Sequence, residues 1–278
     1  MGFLGRMLHG RRLSKLTQNL RSVTSWHTCH HAAIELGKLR EQAAPATPGL
    51  IEALSHRKGE VRAAAASALG QIGRQAKSAV GALVDRLTDE DERVRAASAE
   101  SIGRIGLGTP NVIRTLMLAL DDKTAEVRMA AARALGQLGP LAPAQAMEPV
   151  LPALAGLEKD EDPRVRNEAA RAVGAIGDGI APDASVPSLI ECLDHEDHDV
   201  RWATILALGK MGENAVAAVP GLVRCMTDED SDVRDAARLA IGQIGEPALP
   251  VLSKLLEDES PFISGQAQEM IYDIRAEI

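Results

Sequence analysis

The densest group of side chains able to do chemistry is WHTCHHAA, residues 26–33. His27 and His31 stand at i and i+4, on one face of a helix, with Cys29 adjacent in sequence. Imidazole and thiolate donors at that spacing can take a divalent metal weakly. The competing reading is a polar terminal cap facing solvent, and it needs no ligand. His195 and His198 belong to DHEDHD, whose counterparts DEDER (from Asp89) and DEDSD (from Asp228) mark it as an acidic turn with histidines substituted in. Three cysteines, Cys29, Cys192 and Cys225, are too few and too scattered for a disulfide framework, which fits a reducing compartment. No nucleophile elbow, Walker loop, GxGxxG or HExxH motif is present. No catalytic residue, cofactor or bound metal is therefore expected, and the chain reads as a non-enzyme.

Six arginines remain, and their spacing defines the elements that hold everything else. Val-Arg pairs fall at Val61-Arg62, Val94-Arg95, Val127-Arg128, Val165-Arg166, Val200-Arg201 and Val233-Arg234, at steps of 33 to 38 residues. Counting from each valine as slot zero, glycine recurs at slot nine (Gly70 to Gly242) and at slot twelve (Gly73 to Gly245). Extending the frame puts Thr28 and Ile263 in the valine slot of two degraded terminal copies. Self-similarity at this period marks a repeat architecture of eight units.

Within a unit the signals describe two helices. Asp91, Thr124, Asp162, Asp197, Asp230 and Ser260, three residues before slot zero, are N-cap types, and Pro163 and Pro261 follow at the first helical position. Small or apolar residues at slots four, seven, eight and eleven follow a helical period. The two glycines mark the end of this second helix, the slot-twelve one being free to turn left-handed. Another apolar helix begins fourteen residues earlier, as in VPGLVRCM. Such a hairpin cannot bury its own apolar face, so stacked neighbours supply the core. With only five aromatic residues, that core rests on Ala, Leu, Val and Ile at close spacing.

The recurring D-x-x-V-R-x-x-A-A-x-A-L-G-x-I-G unit resembles the short HEAT-like repeat named after phycobilisome lyase subunits. The resemblance implies an all-α, right-handed superhelical solenoid of about eight two-helix repeats over residues 26–278, preceded by a basic amphipathic segment, 1–25. It also implies a ladder in which Arg62, Arg95, Arg128, Arg166, Arg201 and Arg234 pair with acids of their own or the adjacent repeat; from the residues alone, these are ion-paired surface. Deoxyhypusine hydroxylases have similar repeats with His-Glu pairs at slots two and three. The corresponding pairs here run from His30-His31 through Asn167-Glu168 to Asp235-Ala236 without one His-Glu, so that di-iron chemistry is not expected.

Slots two, six and ten of each second helix point out of the core, toward the concave side of such a solenoid. Trp202, Leu206 and Leu239 should therefore stand exposed together, flanked by Met129, Arg133 and Arg171. Aromatic and apolar groups beside arginines are what partner-binding hot spots look like. The expectation is a scaffold or adaptor that binds a protein. A chromophore lyase, or a subunit of one, is the alternative carried by the resemblance.

The formal net charge of −8 argues against a nucleic-acid backbone binder. Residues 1–34 hold five cationic side chains and no acid, leaving −13 on the rest. Leu13, Leu16, Leu20 and Val23 lie at helical spacing in that basic stretch, which reads first as a capping helix. A weak contact with anionic lipid or an organelle transit peptide are the other readings. No apolar run approaches the roughly 18 residues of a membrane span, and a cytoplasmic location is expected.

Overall fold

A computed structural model describes residues 3–22, 25–142, 144–147, 149–157, 160–177, 182–196 and 198–276. Among them every regular element is helical, and no strand occurs. The chain divides into two compact units, Met1–Ala142 and Pro143–Ile278.

The first unit holds four helix pairs: α1 (Phe3–Asn19) with α2 (Trp26–Lys38), α3 (Thr47–Ala53) with α4 (Gly59–Ile72), α5 (Val80–Asp85) with α6 (Glu92–Ile105), and α7 (Pro110–Leu118) with α8 (Ala125–Leu138). The second unit opens with the short α9 (Ala144–Met147). Four pairs follow: α10 (Val150–Gly156) with α11 (Pro163–Gly177), α12 (Pro182–Cys192) with α13 (His198–Lys210), α14 (Val219–Cys225) with α15 (Ser231–Ile244), and α16 (Leu249–Leu255) with α17 (Pro261–Ala276). In each unit the second helices pack side by side, making an α solenoid.

The slots explain the packing. Val61, Ala65, Ala68, Leu69 and Ile72 of α4 are buried, as are their equivalents Val233, Ala237, Ala240, Ile241 and Ile244 of α15. Slot nine has a different job from the one its sequence position implied. It lies inside the second helix rather than at its end, and it faces slot seven of the next. A Cβ on Gly70 would come within 2.8 Å of Ser101 Cα, and one on Gly103 within 2.8 Å of Ala134 Cα. Glycine against a small residue is what lets these helices approach so closely.

Slot twelve turns left-handed at Gly73, Gly106, Gly212 and Gly245, with φ between 53° and 72°. Gly139 departs from that expectation, at φ −45°, because Pro140 follows and the chain continues into a 3-10 turn. Arg40 occupies the same slot in the first repeat and adopts φ 50° with a full side chain.

At the caps, Asp91 and Asp230 accept backbone N–H groups of their helices, as does Asp162 from Arg164. Thr124 does not cap, because its hydroxyl is bonded to Asp122 at 2.7 Å. Asp197 lies outside the described residues. Helix α1 packs against α2, with Leu16 and Leu20 buried and Leu13 half-buried. Arg12 bonds Glu35, and Arg21 bonds Glu52 through both carboxylate oxygens. Val23 is outside the described residues. No described helix is long and apolar enough to cross a membrane.

Candidate functional site

The arginine ladder is buried structure, which corrects its reading as ion-paired surface. Arg62, Arg95, Arg128 and Arg201 are all less than a tenth exposed. Each of the six arginines donates from Nη1 to the carbonyl of the residue six positions before it, at 2.6–2.9 Å. Arg62 also forks onto Asp89, Arg95 onto Asp122 and Arg201 onto Asp228, each the carboxylate of the following repeat, with N···O distances of 2.6–2.9 Å.

Bidentate geometry, additional hydrogen bonds and burial make these rungs interior ion pairs, costly to break from one side. Arg62, Arg95 and Arg201 are held more basic than usual, first by those side-chain bonds. At Asp122 partial burial works to raise the carboxyl pKa. The bonds from Arg95 and Thr124 outweigh it and bring it to about 2.

The outward slots form accessible rows. Slot six shows Ile34 and Leu239 exposed, with Ser67, Glu100, Arg133 and Leu206 half-buried. The proposed hot-spot residues fall in both units. Met129 and Arg133 are half-buried on α8 of the first, while Arg171, Trp202, Leu206 and Leu239 are on α11, α13 and α15 of the second.

Within the second unit Arg171 is exposed, and its guanidinium carbon lies 5.6 Å from the centre of the Trp202 ring. That is a cation–π distance, and it braces a half-buried indole against the neighbouring helix. Leu206 is half-buried one turn along α13, and Leu239, at the equivalent slot of α15, is 57% exposed.

Two grooves were not anticipated. One, of about 380 Å³, lies between α2 and α4, where the Ala63-Ala64 pair leaves room beside His30 and Ile34. The other, of about 700 Å³, lies between α15 and α17, with Leu239, Gly242, Met270, Asp235, Arg238 and Asp273 among its lining residues. It coincides with one substitution in the slot-seven row. Where Ala68, Ser101, Ala134, Ala172, Ala207 and Ala240 are small, the last copy has Met270. A Cβ on Gly209 meets Ala240 Cα at 3.1 Å, whereas one on Gly242 meets nothing within 4 Å. The row of small residues thus ends where the second helices no longer touch at the slot-nine glycine.

The candidate metal ligands are not brought together. Cys29 is buried, and its thiol lies against the carbonyls of Ser22 and Ser25, while His27 and His31 are exposed. Trp26 stacks on His27 at 3.7 Å and meets His30 edge-on at 6.3 Å. No group of three metal-ligating side chains occurs among the described residues. Cys192 and Cys225 are buried. Burial, aided by nearby Asp228 and Asp194, pushes the Cys225 thiol up to about 11, so it is a poor nucleophile.

Comparison with known proteins agrees with this geometry. The sequence profile of HEAT repeats matches residues 13–103, 47–136, 80–151, 150–240 and 186–272. Among solved structures, a crystal structure of an engineered protein from a structural genomics consortium is 25% identical; the match covers 94% of this chain and 78% of that one at a TM-score of 0.61. A second engineered protein from the same source is 23% identical, with 95% and 96% covered at a TM-score of 0.46. No curated protein matches the chain. Repeat matches that run from residue 13 to residue 272, over helix pairs stacked slot against slot, make this chain a member of the HEAT-repeat family.

Proposed function

We propose that the chain is a non-catalytic scaffold that binds a partner protein through the outward face of its second helices, centred on Trp202, Leu206 and Leu239. The observation that carries this is the Trp202 indole, braced by Arg171 and left half-buried beside a Leu239 that is 57% exposed. A rigid aromatic held in place beside an exposed leucine can bury apolar area on association with little loss of side-chain entropy. In the first unit, Ile34, Met129 and Arg133 lie on the same kind of outward slot. No membrane, nucleic acid or cofactor is needed by this reading.

The test starts from affinity purification with native extract and compares the captured partner between the unmodified chain and Trp202→Ala. Retention by the first and loss by a folded Trp202→Ala supports the reading; equal affinity for both sinks it. Incubation with a bilin and an apo-phycobiliprotein provides the contrast, since a covalent visible-absorbing adduct is expected only of a lyase.

A further inference from the structure

The groove between α15 and α17 has the chemistry of a defined receptor. Its floor is apolar: Gly242 is uncovered, Met270 and Ile274 are buried, and Leu239 stands at one wall. Its volume of about 700 Å³ is in the range that takes large side chains. Its charge is not balanced. Arg238 is committed to Glu269, donating to both carboxylate oxygens at 2.8 and 3.3 Å, and lies 3.6 Å from Asp273. Asp235, exposed on α15, makes no hydrogen bond or ion pair among the described residues. One arginine against Glu269, Asp273 and Asp235 leaves the mouth of an apolar slot negative.

We propose that this groove receives a segment of a partner protein that inserts one large apolar side chain over Gly242 and sets a lysine or arginine against Asp235 and Asp273. The proposal rests on the scaffold reading above and names the chemistry of the segment recognised. The apolar side chain supplies the buried area, while the cation supplies orientation and discriminates against acidic segments. Met270 is buried beneath the slot, at the point where the close packing of the second helices ends.

The probes are short labelled helical peptides on an Ala/Gln background carrying Leu and Lys four residues apart, with Leu/Glu and Ala/Lys versions as controls. Fluorescence anisotropy with the full chain is expected to show the Leu/Lys peptide binding at least about tenfold tighter than either control. Gly242→Trp, which fills the slot, and Asp235→Lys, which reverses its charge at an exposed site, should each weaken that binding by at least about tenfold. Circular dichroism confirms that both variants fold. Lys77→Ala, at an exposed site in the first unit, should leave the peptide affinity unchanged, and because partner capture is compared separately in Trp202→Ala, failure of the α13 site and failure of this groove are read independently. The proposal is overturned by equal binding of the three peptides, by no saturable binding of the Leu/Lys peptide, or by binding that both groove variants leave intact. Concentration-dependent self-association that Gly242→Trp abolishes would also overturn it, by assigning the groove to a second copy of the chain.

Discussion

The α13–α15 and α15–α17 junctions sit next to each other in the second unit and are built from the same slots, yet they behave as opposites. In the first, Gly209 lies against the Ala240 backbone, and Arg201 forks onto Asp228. In the second, Gly242 faces open space. Arg234 there bonds only the carbonyls of Asp228 and Glu229 among the described residues, and the Asp258 side chain caps the N–H of Ser260. The fork closes at tightly packed junctions, but tight packing does not depend on it: a Cβ on Gly37 would come within 3.2 Å of Ala68 Cα, and Cys29 stands there in the arginine's slot. The carboxylate that completes a rung comes from the following repeat, so the fork closes only when the two second helices are near.

The sharpest way to break this contrast is to remove the aspartate five residues before slot zero at a closed junction, α6–α8, and at the open one. Asp122→Ala strands the buried Arg95 guanidinium and is expected to cost about 3 kcal/mol in urea unfolding. Asp258→Ala, at the open junction, should stay within about 0.5 kcal/mol of the unmodified chain. Glycine substitutions should differ in sign as well as size. Gly174→Ala drives a Cβ to 2.8 Å from Ala207 Cα and should lose about 2 to 3 kcal/mol. Gly242→Ala meets nothing and should gain up to about 1 kcal/mol from helix propensity. Equal effects at the two glycines would dissolve the comparison.

Acid should weaken the closed rungs in a defined window. The Asp122 carboxyl titrates at about 2 in the folded chain, below the 3.8 usual for a free aspartate. Its contribution is therefore fully present above about pH 4 and is lost as pH falls from about 4 toward 2, amounting to about 2 kcal/mol. Urea midpoints measured across that window should fall for the unmodified chain, and part of the fall should be missing in Asp122→Ala. The smallest effect belongs to the first repeat. Arg40→Gly relieves a left-handed backbone at a slot that holds glycine in later copies and should raise stability by about 1 kcal/mol.

Most of the fold was legible because it is written as a period. The Val-Arg frame located all eight second helices, and the outward slots proved accessible in each unit. What escaped was everything that depends on which slot of one repeat meets which slot of the next. Met270 stands in the sequence as a break in a row of small residues, but its meaning needs the nine-to-seven pairing of neighbouring helices. The arginines read as surface because the acid that buries Arg62 lies 27 residues ahead, at Asp89. A dependable sequence signal existed for the rungs, since aspartate recurs five residues before slot zero at Asp89, Asp122, Asp160, Asp228 and Asp258, with histidine at His56 and His195. For the candidate site, Leu239 was readable from its slot. The stacking of Arg171 on Trp202 was not, because the two are 31 residues apart and belong to different repeats.

Each acidic turn at Asp89, Asp122 and Asp228 is fastened twice, its carbonyl by its own repeat and its carboxylate by the repeat before it. Folding of one such turn is thereby conditional on its predecessor, which converts a row of marginal hairpins into a cooperative block. The α16–α17 hairpin has no such dependence on Arg234. Its tie to α15 is the exposed pairing of Arg238 with Glu269, so amide exchange and proteolytic nicking should begin there while the inner repeats stay shut.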